Sequence, residues 1–280
     1  MDLLRTTKVG ISVHAAKKCP EAAAQAKELL GRWKRALEPA KAAKEAPTEE
    51  KTAVAVGAVG EVKATVVAKT PEWQGTKTIK LRPAQPIPLR DAEGFLKFKD
   101  CPHFSPNLTP KEVLQLGSFG GTYFRTIRSK VTGQSYSDAW REFPGDWFDK
   151  LDVRKQVASP VYDPSKNTYK KNCGGDLDMW EGSGWITDID PFGWFQWYCR
   201  FYLGRRCADD ERQIGRANGV MGPKGRFRSQ LVGKIVNAGK PLKIGLQDFN
   251  ISPVVRQTLQ HWGYRLTLPA LEAGAAARGK

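Results

Sequence analysis

The chain has 280 residues, 40% of them hydrophobic and 26% charged, with a net charge of +16. Such a length serves one large domain or two small ones, and such a composition is ordinary for a globular protein. Five cysteines, an odd number without a Cys-x-x-Cys pair, argue against both a disulfide framework and a zinc ribbon and favour a reducing compartment. No run approaches about 18 uninterrupted apolar residues, so no membrane-spanning helix is expected, and the first residues lack the apolar core of a signal peptide.

The excess charge is unevenly spread. Residues 1–46 carry +5, 95–199 carry zero and 200–240 carry +7. Basic ends around a neutral middle favour anionic partners, among them nucleic acid and acidic protein segments.

In chain order, the first element is "LLRTTKVGISVHAAKK", Leu3 to Lys18, followed by a helix with Pro20 in its first turn. Ala22, Ala26, Leu29, Leu30, Trp33 and Leu37 recur at helical spacing and form one apolar stripe. Gly10 permits close chain approach, and Trp33 is placed to anchor a small bundle. The positions Leu4, Thr7, Val9, Gly10, Val13 and Lys18, then Ala26, Lys27, Leu30, Trp33 and Lys34, follow an ordered pattern. It resembles the N-terminal domain of transcription elongation factor TFIIS, shared with elongin A and a Mediator subunit. In that family further helices precede this stretch, so a partial module is expected, and Ala16 stands where the family has a bulkier apolar residue. The resemblance implies a nuclear docking module for short disordered motifs of transcription-machinery proteins. It does not extend to the family's zinc ribbon or to stimulation of RNA cleavage.

Residues 39–76 are Ala, Lys, Glu, Val and Pro in low-complexity order with one aromatic. Such a segment buries too little apolar surface to offset chain entropy, and it reads as a flexible linker. Residues 77–268 read as one α+β domain. Its first half is rich in Gly, Pro and Asp and is expected to form short strands and loops. Its second half is expected to be helical. Asp190 and Pro191 read as an N-cap and first-turn pair for "FGWFQWYCRFYL", with Gly204 as its stop. Trp194, Trp197, Tyr198 and Phe201 share one face while Phe195 and Tyr202 occupy another, which marks a helix buried all round. Further helices are expected over about Ala208–Ala217, from Arg226 to Gly239, and from Ser252–Pro253 to Gly263. The close, "PALEAGAAARGK", reads as a disordered tail over 269–280.

The chemistry-bearing residues lie mostly in 200–240. Gly219, Gly222 and Gly225 flank Lys224, Arg226 and Arg228 at a helix start, where glycine lets backbone N–H groups approach a phosphate. With Arg205 and Arg206 these residues form a candidate phosphate or nucleic-acid site for DNA or RNA. The turn loosely resembles a helix-hairpin-helix turn and a KH loop, but neither spacing fits, and a P-loop is excluded because the Gly-Lys-Ser/Thr ending is missing. The acidic run Asp209, Asp210 and Glu211 fits the first turn of a helix, where carboxylates favour the macrodipole, with Arg205 and Arg206 as possible partners. Nine aromatics fall within the 23 residues from Trp180 to Tyr202. Core packing is their expected role, with a methyl-lysine cage or a base-stacking platform as alternatives. Cys101 and His103 alone do not make a metal site; a Cys-His dyad using Cys173 or Cys199 stays open. No catalytic residue, metal or cofactor is assigned. The segments "GTYFR", "DPFGWFQWYCRFYLGRR" and "SPVVRQTLQHWGYRL" resemble an uncharacterised Trp-rich eukaryotic domain, which implies no activity. The expected function is a nuclear, non-enzymatic transcription adaptor; alternatives are a sequence-independent nucleic-acid binder and an enzyme of unknown type.

Overall fold

The computed structural model describes residues 84–279. The chain divides into two units, residues 1–67 and 68–280, and the described residues belong to the second. The helix from Pro20, the docking positions Leu4 to Lys34 and the linker 39–76 lie outside the described residues.

The described part is α+β. Its sheets are two short antiparallel hairpins. Strand β1 (Leu89–Arg90) pairs with β2 (Leu96–Lys97), with Leu89 opposite Lys97. Strand β3 (Ile127–Arg128) pairs with β4 (Ser135–Tyr136), with Ile127 opposite Tyr136. Asp91 closes the first turn by accepting from the N–H groups of Glu93 and Phe95, an Asx turn built by local chemistry.

Three short helices also interrupt this half: α1 (Pro110–Gln115), α2 (Val153–Gln156) and α3 (Leu177–Gly182). Each has an explicit N-cap. Thr109 and Glu112 form a capping box on α1, Asp152 caps α2 and Asp176 caps α3. Caps matter here because helices this short have little internal cooperativity.

The second half is helical, as its apolar spacing predicts. Helix α4 (Trp194–Tyr202) runs through the centre of the unit and is buried from Trp194 to Phe201. It starts later than the Asp190–Pro191 pair suggested, because Gly193 occupies the cap position at φ 84°. Asp190 is instead fully buried, and its carboxylate holds Arg200 and Arg205. Gly204, at φ 100°, ends the segment, and a β-carbon there would lie 2.0 Å from the Gln85 carbonyl oxygen; only glycine fits.

Helices α5 (Asp210–Met221) and α6 (Arg226–Asn237) follow, then α7 (Leu242–Gln247), which no sequence signal announced, and α8 (Pro253–His261). Residues read as a disordered tail form a further helix, α9 (Leu268–Ala276), capped by Thr267 and packed on α6 and α7. Alanine, which made this segment look low in complexity, is also the best helix former. Leu271 and Ala275 are buried on the inner face of α9.

The core is aromatic. Phe104 meets Trp194, Trp197, Tyr198 and Phe201 edge-on, at centroid distances of 5.6–6.2 Å, the geometry that ring quadrupoles favour. Polar handles on these rings are satisfied. Trp197 Nε1 donates to Asp210 Oδ1 at 2.9 Å, and the Tyr198 hydroxyl donates to the Leu108 carbonyl at 2.6 Å.

Candidate functional site

A cavity of about 820 Å³ opens beside α4, a size suited to a small organic ligand. Its walls come from distant parts of the chain. Helix α4 supplies Trp194 and Phe195, the end of α8 supplies His261 and Trp262, and the segment around α3 supplies Trp180 and Trp185. Trp194 stacks on Trp262 at 4.2 Å, and its Nε1 donates to the His261 carbonyl at 3.2 Å. The aromatic stretch Trp180–Tyr202 therefore divides, part of it filling the core and part walling the cavity.

One wall is held in a strained conformation. Phe119 has φ 56°, a left-handed geometry costing a non-glycine residue roughly 1–3 kcal/mol. Its N–H donates to His261 Nε2 at 3.0 Å, and its ring stacks on the imidazole at 4.1 Å. The next N–H, of Gly120, donates to Asn167 Oδ1 at 2.8 Å. These contacts keep the turn in place on the cavity wall.

His261 is fixed in one tautomer. A backbone N–H can only donate, so Nε2 accepts from Phe119, and the Gln257 amide lies 3.1 Å from the same nitrogen. The ring proton then belongs to Nδ1. Burial alone lowers the imidazole pKa from 6.5 to about 3, because a charged ring cannot be hydrated there. No sequence signal marks His261 for this role.

Two arginines reach the cavity. The Arg216 guanidinium lies 5.6 Å from the ring centres of both Trp185 and Trp262, and it donates to Gln213 Oε1 at 2.9 Å. Desolvation lowers its pKa. Arg125 donates to the Thr122 carbonyl at 3.3 Å. Asp176, the carboxylate of the lining, is committed to the Met179 N–H at 2.7 Å.

Cys173 also lines the cavity, with its Sγ 3.1 Å from Thr258 Oγ1. Burial raises its pKa, as it does for Cys101, Cys199 and Cys207, the last to about 12. Raised values hold these groups as thiols, the less nucleophilic form. Among the described residues no group of three or more His, Cys, Asp or Glu is placed to hold a metal ion, and no helix is long and apolar enough to cross a membrane.

The candidate phosphate site needs correction. Arg205 binds both oxygens of Asp190 at 2.7 and 2.8 Å, and Arg206, 3% exposed by side chain, binds both oxygens of Asp100. The Arg206 guanidinium also lies 3.7 Å from the Phe201 ring centre. Both arginines are structural, held by Asp190 and Asp100. In the acidic run Asp209 holds Arg212, and Asp210 takes the Cys207 N–H. Gly222 and Gly225 are buried, and their own N–H groups already donate to Asn218 and Gly222 carbonyls. A β-carbon at Gly225 would meet the Val220 carbonyl at 2.6 Å, so these glycines serve a tight helix-to-helix turn. Gly219 lies within α5. That leaves Lys224 and Arg226, which are exposed, and Arg228, half-buried with its guanidinium 5.3 Å from the Tyr264 ring centre.

The described unit is thus an α+β body with a closed aromatic core and an open aromatic cavity. The family comparison speaks to the other end of the chain: residues 1–37 match the family model "Med26: TFIIS helical bundle-like domain". This segment is similar to a transcription-related protein-interaction module. No curated protein and no solved structure matches the chain.

Proposed function

We propose that the protein is a nuclear, non-enzymatic transcription adaptor. In this reading residues 1–37 dock short disordered segments of transcription-machinery proteins, with Leu4, Thr7, Val9, Gly10, Val13, Lys18, Ala26, Lys27, Leu30, Trp33 and Lys34 as the module's positions. The observation that carries the reading is the match of residues 1–37 to the TFIIS helical bundle-like family. The same residues contain the Leu, Thr, Val-Gly and Trp-Lys pattern. The positive charge of residues 1–46 suits acidic-hydrophobic partner segments.

A second reading is favoured by the exposure of Lys224 and Arg226 at the start of α6: contact with a nucleic-acid backbone, independent of sequence. Fluorescence anisotropy of the full chain separates the two. Labelled acidic-hydrophobic peptides should bind, while a scrambled polar peptide should not. If a short DNA duplex binds with steep salt dependence and the peptides do not, the second reading replaces the first.

A further inference from the structure

The cavity's polar groups are unbalanced. Its aromatic walls would suit a cationic ligand, but the Arg216 guanidinium already lies over Trp185 and Trp262. Among the charged side chains of the lining, two are arginines, Arg125 and Arg216, and one is a carboxylate, Asp176. Arg125 and Arg216 line the cavity and make no ion pair among the described residues. His261 Nε2 accepts from the Phe119 N–H and lies against the Gln257 amide, which leaves Nδ1–H as a further donor on a residue that lines the cavity. A ligand acceptor would give this donor and the two guanidinium groups a common partner, and hydrogen bonds to a charged acceptor are the stronger kind. Asp176 is exposed, caps α3 through Oδ1 and forms no ion pair with either arginine among the described residues.

We propose that this cavity binds a small amphipathic organic anion, with an aromatic or alkyl body against Trp180, Trp185, Trp194 and Trp262 and its acidic group on Arg216, Arg125 and His261. The body answers the aromatic walls, and the acidic group answers the surplus of donors. Charge-assisted hydrogen bonds from arginine are the stronger kind and favour planar, two-oxygen acceptors such as carboxylates. This site is separate from the docking role given to residues 1–37 and does not rest on it.

The test uses the full chain and a matched pair of fluorescent probes, anilinonaphthalene sulfonate and the neutral phenyl-naphthylamine, which differ by the anionic group. The anionic probe should bind saturably at one site per chain and at least about tenfold more tightly than the neutral one. Arg216→Gln and Arg125→Gln should each weaken the anionic probe by about tenfold and leave the neutral probe unchanged. Arg216→Lys, which keeps the charge, should recover part of the loss. Val220→Trp, filling the space from α5, should abolish binding of both probes with the melting temperature retained. Equal affinity for both probes would overturn the proposal. So would indifference to both arginine substitutions, binding that survives Val220→Trp, or preference for a trimethylammonium analogue of the same body. Among the described residues the Arg125 side chain makes one hydrogen bond, to the Thr122 carbonyl, so its variant remains informative if an Arg216 variant proves unstable.

Discussion

Trp197 and Trp185 belong to one aromatic run, twelve residues apart, yet Trp197 is fully buried and Trp185 is 44% exposed. Trp197 sits on α4 with its ring against Phe104 and Phe201 and its Nε1 on a buried carboxylate. Trp185 follows α3 on the rim of the cavity, with an arginine over its ring. The core side comes from one continuous helix, whereas the cavity side is assembled from separate segments. An aromatic cluster in sequence can therefore serve two surfaces, one filled and one open. The two should respond oppositely to truncation, the first in stability and the second in binding.

The largest effect is expected on the core side. Trp197→Ala should cost about 3–5 kcal/mol, because it empties a site with no room to collapse. Asp190→Ala should cost a similar amount, about 3–5 kcal/mol, because it removes the buried carboxylate that Arg200 and Arg205 share, although Arg200 keeps Glu142. Urea denaturation of the folded chain reads both. If either variant unfolds at the wild-type midpoint, the packing described for α4 is wrong.

An intermediate effect is expected at His261, which touches both sides. Its pKa is 6.5 when unfolded and about 3 when folded, so between these values the unfolded chain takes up a proton that the folded chain refuses. The contribution is full above pH 6.5 and is lost as pH falls towards 3. The maximal slope is about 1.4 kcal/mol per pH unit. From about pH 7 to about pH 5, the wild type should lose roughly 2 kcal/mol more than His261→Gln, which lacks the titrating ring. Equal losses in the two would show that the imidazole is hydrated.

The smallest effects are expected at the surface. Trp185→Ala should change stability by less than about 1 kcal/mol while weakening the anionic probe, since a half-exposed ring gives up little burial. Replacing Lys224 and Arg226 by Ala should cost about 0–1 kcal/mol each, as exposed charges do. If DNA binds, the same replacement should flatten its salt dependence by roughly 0.9 for each phosphate that is no longer neutralised.

What was legible in the sequence follows from how each element is held. Helices α4, α6 and α8 were readable because their apolar residues repeat at helical spacing, and Gly239 and Gly263 mark the ends of α6 and α8 at φ 67° and 71°. The Asp190–Pro191 pair misled because its carboxylate answers two arginines ten and fifteen residues on, beyond the reach of a capping pattern. Helix α9 was hidden by its alanines, and α7 is too short to show a period. The cavity was invisible because Trp180, Phe119 and His261 meet only through tertiary contacts, and the run from Trp180 to Tyr202 carries no mark of which rings face inward. The +7 of residues 200–240 overstated the basic surface, because Arg200, Arg205 and Arg206 lie in buried or half-buried ion pairs.

The adaptor reading turns on Trp33, the residue that closes both the apolar stripe and the Trp-Lys pair. The direct measurement is calorimetric titration of acidic-hydrophobic peptides from transcription-machinery proteins into the full chain and into Trp33→Ala. The account predicts that binding is lost in the variant while the thermal transition of the unit containing residues 84–279 stays at its wild-type temperature. Wild-type peptide affinity in Trp33→Ala would contradict it.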